Sequence, residues 1–160
     1  VLDVWSILSQ KYPQWVLRFV GDGPDKEHLE EYVRQRQLKN VYFEGFQNPV
    51  EYYKRASILV MTSDFEGFPL VLAECMSFGV IPCVYNSFAA VHDIIKDGQN
   101  GLIVEKVNGC FSAEEMADRL RGVMLNENKL DLMARNAIET SQDYSVDSVY
   151  KQWEKTLKEI

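Results

Sequence analysis

Two glutamates, Glu66 and Glu74, stand eight positions apart in Asp64-Phe65-Glu66-Gly67-Phe68-Pro69-Leu70-Val71-Leu72-Ala73-Glu74-Cys75, and the second lies inside an almost wholly apolar run. A carboxylate accepts two hydrogen bonds side by side, which suits the vicinal hydroxyls of a sugar. Pro69 is favoured at the first helical position, so a helix is predicted to start there and to carry Glu74 one to two turns in. Leu70, Val71, Leu72, Ala73, Cys75 and Met76 make that helix apolar around most of its circumference, which predicts a buried helix with an inward-facing Glu74. An unpaired buried carboxylate would be costly or take up a proton, so Glu74 must face a partner or a cleft. The helix start offers free N–H groups and a positive dipole end, and Gly67 allows close backbone approach, so a diphosphate can dock there. Glu74 beside it suits a ribose, and Glu66 on the loop suits a second sugar. A diphosphate flanked by two sugars is a nucleotide sugar.

The elements that must position these residues are short apolar runs separated by helical spacing. Val16-Leu17-Arg18-Phe19-Val20 closes at Gly21-Asp22-Gly23-Pro24, and Leu29, Tyr32 and Val33 then recur at helical spacing through residue 36. Val41-Tyr42-Phe43-Glu44 ends at Gly45, a short helix fits 49–55, and Ile58-Leu59-Val60-Met61 runs into Thr62-Ser63-Asp64. Ile81-Pro82-Cys83-Val84-Tyr85 and Leu102-Ile103-Val104 complete five strands, the last preceded by the turn Asp97-Gly98-Gln99-Asn100-Gly101. Apolar strands alternating with helices predict a Rossmann-like α/β domain, a parallel sheet with helices on both faces. Ligands of such sheets sit at the carboxyl ends of the strands. From Ser112 the strands stop: Ser112-Ala113-Glu114-Glu115 is a capping box, a second helix is predicted over 127–141, and a third over 146–160. Val146, Val149, Tyr150, Trp153, Leu157 and Ile160 share one stripe of that last helix, which reads as core or, in part, as an exposed face.

With 160 residues, 46% apolar and 26% charged, the chain is sized and composed as one ordinary globular domain. No apolar run approaches the roughly 20 residues of a membrane-spanning helix. A net charge of -7 disfavours nucleic acid, which is tracked by clustered lysine and arginine, but leaves room for a small anion held locally by backbone amides. Cys75, Cys83 and Cys110 are odd in number and lack C-x-x-C spacing, which argues against disulfides and structural zinc and for a reducing compartment. They read as small core residues. Gly21-x-Gly23 lacks the third glycine of a dinucleotide fingerprint, and His28 and His92 read as surface residues. The chain opens Val1-Leu2-Asp3-Val4-Trp5-Ser6-Ile7-Leu8 with helical apolar spacing and no cap, as a cut chain would.

Glu66-Gly67-Phe68-Pro69-Leu70-Val71-Leu72-Ala73-Glu74, followed by Ser77-Phe78-Gly79 and Pro82, resembles the E-x7-E signature of the retaining glycosyltransferases of family 4, the group 1 glycosyltransferases. Phe19-Val20-Gly21-Asp22-Gly23-Pro24, Val41-Tyr42-Phe43-Glu44-Gly45 and Asp97-Gly98-Gln99-Asn100-Gly101-Leu102-Ile103-Val104 are similar to that family's other motifs, in its order. The resemblance covers nearly the whole chain and implies the donor-binding C-terminal half of a GT-B enzyme. It implies that Glu74 binds the ribose and that Glu66 binds hydroxyls of a hexose-type donor sugar near the reacting centre. Gly67, Phe68, Pro69 and Leu70 would line the loop against sugar and diphosphate, with Gly23 and Phe46 near the nucleotide. It further implies retention at the anomeric carbon and no metal or other cofactor; the sequence has no Asp-x-Asp pair to hold a divalent ion. The implied setting is a bacterial-type, cytoplasmic polysaccharide or glycolipid pathway, with a parent enzyme that is soluble or peripheral to the membrane.

Against the family pattern, a first strand and the arginine and lysine that follow it would precede Val1, as would the acceptor-binding half that holds a glycan or lipid-linked acceptor. Residues 1–160 are therefore expected to form a single donor-binding domain truncated at its N-terminus and inactive alone. With the usual 3-2-1-4-5-6 strand order the absent strand is central, and the other five must leave a gap or close over it. His92-Asp93 stands where the family often carries a glutamate, so Asp93 is given no role. The alternatives are a sugar-nucleotide epimerase of the same fold, a non-catalytic nucleotide-sugar-binding module, and a receiver-like domain, the last opposed by the isolation of Asp22 and Asp64.

Overall fold

The computed structural model describes residues 1–159. In chain order the elements are α1 (Leu2–Leu8), β1 (Leu17–Val20), α2 (Lys26–Gln35), β2 (Val41–Gly45), α3 (Pro49–Tyr53), β3 (Ile58–Met61) and α4 (Leu70–Ser77). They continue with β4 (Ile81–Tyr85), α5 (Val91–Ile94), β5 (Leu102–Val104), α6 (Ala113–Met124), α7 (Glu127–Ser141), a 3-10 turn (Gln142–Tyr144) and α8 (Val146–Lys158). The predicted strands are all present and every pairing is parallel. They form two sheets rather than one: β1 pairs with β2, and β3-β4-β5 form the other. The five strands have not closed up. The break falls between β1 and β3, where the usual order places a central strand.

Period-two alternation along the strands explains the two cores. Ile81, Cys83 and Tyr85 of β4 and Leu102 and Val104 of β5 point to one face, where Val4, Trp5 and Leu8 of α1 and Met116, Leu120 and Val123 of α6 cover them. Val84 and Ile103 point to the other, against Leu72, Cys75 and Met76 of α4, Val91 and Ile94 of α5 and Ala137 of α7. β4 is buried along its whole length, as expected of a strand flanked by strands and covered on both faces. The β1–β2 pair is thinner: Arg18 and Tyr42 remain exposed on one face, where the guanidinium lies 4.6 Å from the ring centroid and pairs with Glu44. The expected apolar face of α2 buries none of its residues fully.

The C-terminal segment corrects one expectation. Ser112 caps α6 by accepting from the Glu115 N–H at 3.2 Å, and α7 spans the predicted 127–141. The stripe on α8, however, is surface and not core: Val146, Val149, Tyr150, Trp153 and Leu157 are all exposed. The faces that could have covered it are already occupied by α1, α6, α4 and α7, so α8 packs mainly against the 3-10 turn before it. Ile160, the last residue of that stripe, lies outside the described residues.

The cysteines are free; Cys75 and Cys83 are buried, as read from the sequence, whereas Cys110 is exposed on a turn and is no core residue. Burial pushes the Cys75 and Cys83 thiols up to about 12. Since the thiolate is the reactive form, iodoacetamide at pH 8 is expected to label Cys110 alone in the folded protein. The unfolded thiols ionise near about 8.5, so folding stability should hold below that pH and fall as pH rises toward 12, read as declining urea midpoints. Native-state labelling of Cys75 or Cys83 would contradict the packing.

Candidate functional site

The residues singled out in the sequence gather at the carboxyl edge of the two sheets, in loops set by the strands before them. Gly21 and Gly45, the residues just beyond β1 and at the end of β2, are tied by a hydrogen bond from the Gly21 N–H to the Gly45 carbonyl at 2.7 Å, both at positive φ. A side chain at either position would be strained, because the left-handed region is open chiefly to glycine. Gly23 and Phe46 follow these glycines on the same rim, and Phe46 is 90% exposed. A polar hollow of about 440 Å³ lies against Gly23, lined by Asp22, Pro24, Lys26, Glu27 and Glu30.

Across the break, the loop from Thr62 to Pro69 carries Glu66, Gly67 and Phe68. It is held at both ends. Ser87, just past β4, donates its hydroxyl to the Ser63 carbonyl, and the Phe68 ring lies 5.6 Å from that of Tyr144. The Tyr144 hydroxyl in turn donates to the Asp93 carbonyl at 2.9 Å, tying the loop to α5. Between these anchors Glu66 is half-buried, and no ion pair or side-chain hydrogen bond engages its carboxylate among the described residues. Nothing in the sequence signalled Tyr144 as part of this arrangement, because its partner stands far away in the chain.

The helix start differs from expectation. Pro69 is the residue before the helix, not its first, with φ -78 and ψ 87. The Leu70 N–H therefore bonds back to the Phe68 carbonyl at 3.0 Å across Pro69, an inverse γ-turn. The Leu72 N–H bonds to the Pro69 carbonyl at 2.9 Å, so two of the N–H groups expected to be free are engaged within the loop. No side chain caps the helix, and its dipole end remains unopposed by an acidic residue in the first turn. At the other end Gly79, at φ 76, closes α4: its N–H meets the Met76 carbonyl at 2.9 Å and the Val80 N–H meets that of Cys75 at 3.1 Å, a Schellman motif.

Glu74 is the principal correction. It is exposed, not turned inward. The buried face of α4 is Leu72, Cys75 and Met76, whereas Leu70, Glu74 and Phe78, each four residues apart, form an open face. The apolar count around Glu74 hid this, because Leu70 and Phe78 are themselves 64% and 41% exposed. On that open side Phe78 lies 5.8 Å from the Tyr53 ring of α3. Burial pushes the Tyr53 hydroxyl up to about 12, and the nearby Glu74 carboxylate adds to the shift. Tyr53 thus stays a neutral hydroxyl beside a carboxylate that no lysine or arginine neutralises among the described residues.

The loop Glu66 to Leu70 and Glu74 are therefore continuous on one rim, and Gly23 and Phe46 stand on the same edge across the break. Two further features arise there. Asn86, past β4, donates to Glu105 Oε2 at 2.8 Å and sits 3.1 Å from Nε2 of exposed His92, joining the ends of β4 and β5. Phe65 is 85% exposed beside Glu66. Phe46, Phe65, Phe68 and Leu70 together give this rim apolar surface that a sugar ring, a base or a partner can cover. Among the described residues no three of His, Cys, Asp and Glu gather as a metal site.

Comparison with known proteins identifies the family and the fold. A family model described as glycosyl transferases group 1 matches residues 1–140. An uncharacterized glycosyltransferase of Haemophilus influenzae is 32% identical over 160 residues, 98% of this chain and 44% of that protein. The chain thus spans less than half the length of that relative. The C-terminal domain of a glycosyl transferase group 1 family protein, LpcC of Francisella tularensis, superposes with a TM-score of 0.79 at 26% identity, over 91% of this chain and 77% of that one. Anabaena HepE, solved with UDP and glucose, superposes at 0.82 with 21% identity, over 99% of this chain and 44% of that one. The fold is that of the GT-B glycosyltransferases. The chain belongs to the group 1 glycosyltransferases.

Proposed function

We propose that residues 1–160 are the donor-binding domain of a retaining, metal-independent enzyme that transfers a hexose-type sugar from a nucleoside-diphosphate sugar to a glycan or lipid-linked acceptor in the cytoplasm. The observation that carries this reading is the pair of unpartnered carboxylates, Glu66 and Glu74, set on either side of an uncapped helix start at the carboxyl edge of a parallel sheet. Glu66 stands on a loop pinned at both ends, so it can meet a sugar without first paying to order itself. Glu74, one turn into α4, is open to accept from ribose hydroxyls. The diphosphate lies between them at the α4 start, where the dipole and the Gly67 and Phe68 amides favour negative charge as the leaving group departs. Gly67, Phe68, Pro69 and Leu70 line this cradle, and Gly23 and Phe46 approach the nucleoside from the β1–β2 side.

The acceptor is read by the remainder of a longer protein. That remainder also supplies cationic charge to the diphosphate, since the lysine beside Gly23, Lys26, stands 3.9 Å from Asp22 among acidic neighbours. No helix among the described residues is long and apolar enough to cross a membrane.

A thermal-shift panel on the longer protein tests the reading. A nucleoside diphosphate present at about 100 times its dissociation constant should add about 2.7 kcal/mol and raise the melting temperature by several degrees, with one base preferred. Equal shifts from every nucleotide and from inorganic phosphate would overturn it.

A further inference from the structure

Glu66 takes its direction from the residue that closes its loop. Among the described residues no hydrogen bond engages Asp64, Phe65, Glu66 or Gly67. Gly67 carries no side chain to restrict the backbone between Glu66 and Phe68. The Phe68 backbone is tied to α4 by the γ-turn at Pro69, and its half-exposed ring meets the Tyr144 ring at 5.6 Å with the planes tilted by 47°. That ring contact is the nearest fixed point to the Glu66 carboxylate along the loop.

Tyr144 is itself fixed from three sides. Its ring packs against the core shared by α4, α5 and α7. Its hydroxyl donates to the Asp93 carbonyl at 2.9 Å, a carbonyl in the last turn of α5 with no partner inside that helix. Its backbone lies in the 3-10 turn, which the Ser145 N–H and the Ser148 hydroxyl close onto the Gln142 carbonyl at 3.2 Å and 2.7 Å. Burial, with the Asp143 and Asp93 carboxylates nearby, pushes the Tyr144 hydroxyl up, so it remains a donor at neutral pH.

We propose that Tyr144 is a positioning residue for sugar transfer, acting through the Phe68 ring to hold the Glu66 carboxylate against the donor sugar. This role rests on the placement of that sugar at Glu66. The ring carries the effect, and the hydroxyl steadies the ring on α5. Nucleotide binding is not expected to depend on Tyr144, because Glu74 stands on a helix that Leu72, Cys75 and Met76 bury independently of the loop.

Turnover and nucleotide affinity of the longer enzyme are the test, with Tyr144→Leu and Tyr144→Phe made alone and Tyr144→Leu also made on Glu66→Ala. Tyr144→Leu is expected to lower kcat about ten- to a hundredfold, the effect of misplacing a reacting group by about 1 Å. The dissociation constant of the nucleoside diphosphate should stay as in the wild type. Tyr144→Phe, which keeps the ring, should turn over close to the wild-type rate. On Glu66→Ala, Tyr144→Leu should lower kcat no further, since residues that act as a unit are not additive. Should Tyr144→Leu fail to fold, Tyr144→Met, closer in length and adaptable in shape, carries the same comparison.

An unchanged kcat in Tyr144→Leu beside an impaired Glu66→Ala would overturn the proposal and leave Glu66 in the donor site. A full further loss on Glu66→Ala would overturn it too, because Tyr144 would then act elsewhere. Nucleotide affinity that falls together with kcat would mark a general loss of fold and have the same consequence. An unimpaired Glu66→Ala would overturn both this role and the placement of the donor sugar.

Discussion

Replacing Glu66 by alanine is expected to lower kcat of the longer enzyme by about a hundred- to a thousandfold, the range seen when one preorganised electrostatic group is removed from an active site. The fold gives no reason for a stability change of similar size. The Glu66 carboxylate makes no ion pair or hydrogen bond among the described residues, and its loop is held by Ser87 and Tyr144 instead. Surface changes of this kind stay within about 0.5 kcal/mol. Glycosyl transfer builds positive charge at the anomeric carbon, so a carboxylate near the donor sugar gains in the transition state what it lacks in the ground state. Glu66→Gln, which keeps an acceptor oxygen but loses the charge, separates the two contributions. A Gln variant near wild type and an Ala variant far below it would assign the role to hydroxyl binding alone. An unchanged kcat in Glu66→Ala, with the melting temperature also unchanged, would remove Glu66 from the site.

Asn100→Ala is expected to be the most damaging single change to the scaffold. Asn100 is 1% exposed, and its side chain makes three bonds. The Lys96 N–H donates to Oδ1 at 2.8 Å, while Nδ2 donates to the Ile94 carbonyl at 3.2 Å and to Thr140 Oγ1 at 2.9 Å. Alanine leaves the Lys96 N–H and the Ile94 carbonyl without this partner at about 1–3 kcal/mol each, while Thr140 keeps its bond to the Asn136 carbonyl, so a loss of about 3 kcal/mol is expected in urea unfolding. The adjoining Gln99 is exposed, and Gln99→Ala should stay within about 0.5 kcal/mol, a control in the same turn. Equal midpoints for the two variants would show that the turn is not a clamp. The contrast also explains the motif Asp97-Gly98-Gln99-Asn100-Gly101 in structural terms. Asp97 accepts from the Ile103 N–H at 2.9 Å, and a Cβ at Gly101 would stand 2.9 Å from the Pro82 carbonyl oxygen.

Much of the fold could be read from local signals. Short apolar runs mark all five strands, and the Ser112 capping box places the start of α6, since each signal sits within a few residues of the structure it produces. Glu74 and the stripe on α8 depart from expectation for a common reason. An apolar neighbourhood in sequence predicts burial, yet burial depends on whether another surface is present. Leu70 and Phe78 beside Glu74, and Trp153 and Leu157 on α8, are apolar residues with nothing over them in this chain. The anchors of the Glu66 loop were illegible because Ser87 and Tyr144 reach it from distant positions. Pro69 was misplaced by one residue: its γ-turn occupies N–H groups that an ordinary helix start would leave free.

The exposure of Glu74 alters its energetics but strengthens its availability. An outward carboxylate needs no internal partner, so the absence of one carries no penalty, and its removal should leave the fold intact. Loss of charge-assisted bonds to a ribose is worth about 1.5–3 kcal/mol each, or roughly ten- to a hundredfold in affinity. Titration calorimetry of the preferred nucleoside diphosphate against the longer protein and its Glu74→Ala variant tests the account's central claim most directly. The expected result is a dissociation constant weakened about ten- to a hundredfold, with an unchanged melting temperature in the absence of nucleotide. Equal affinity in the two proteins would contradict the placement of the nucleotide on α4.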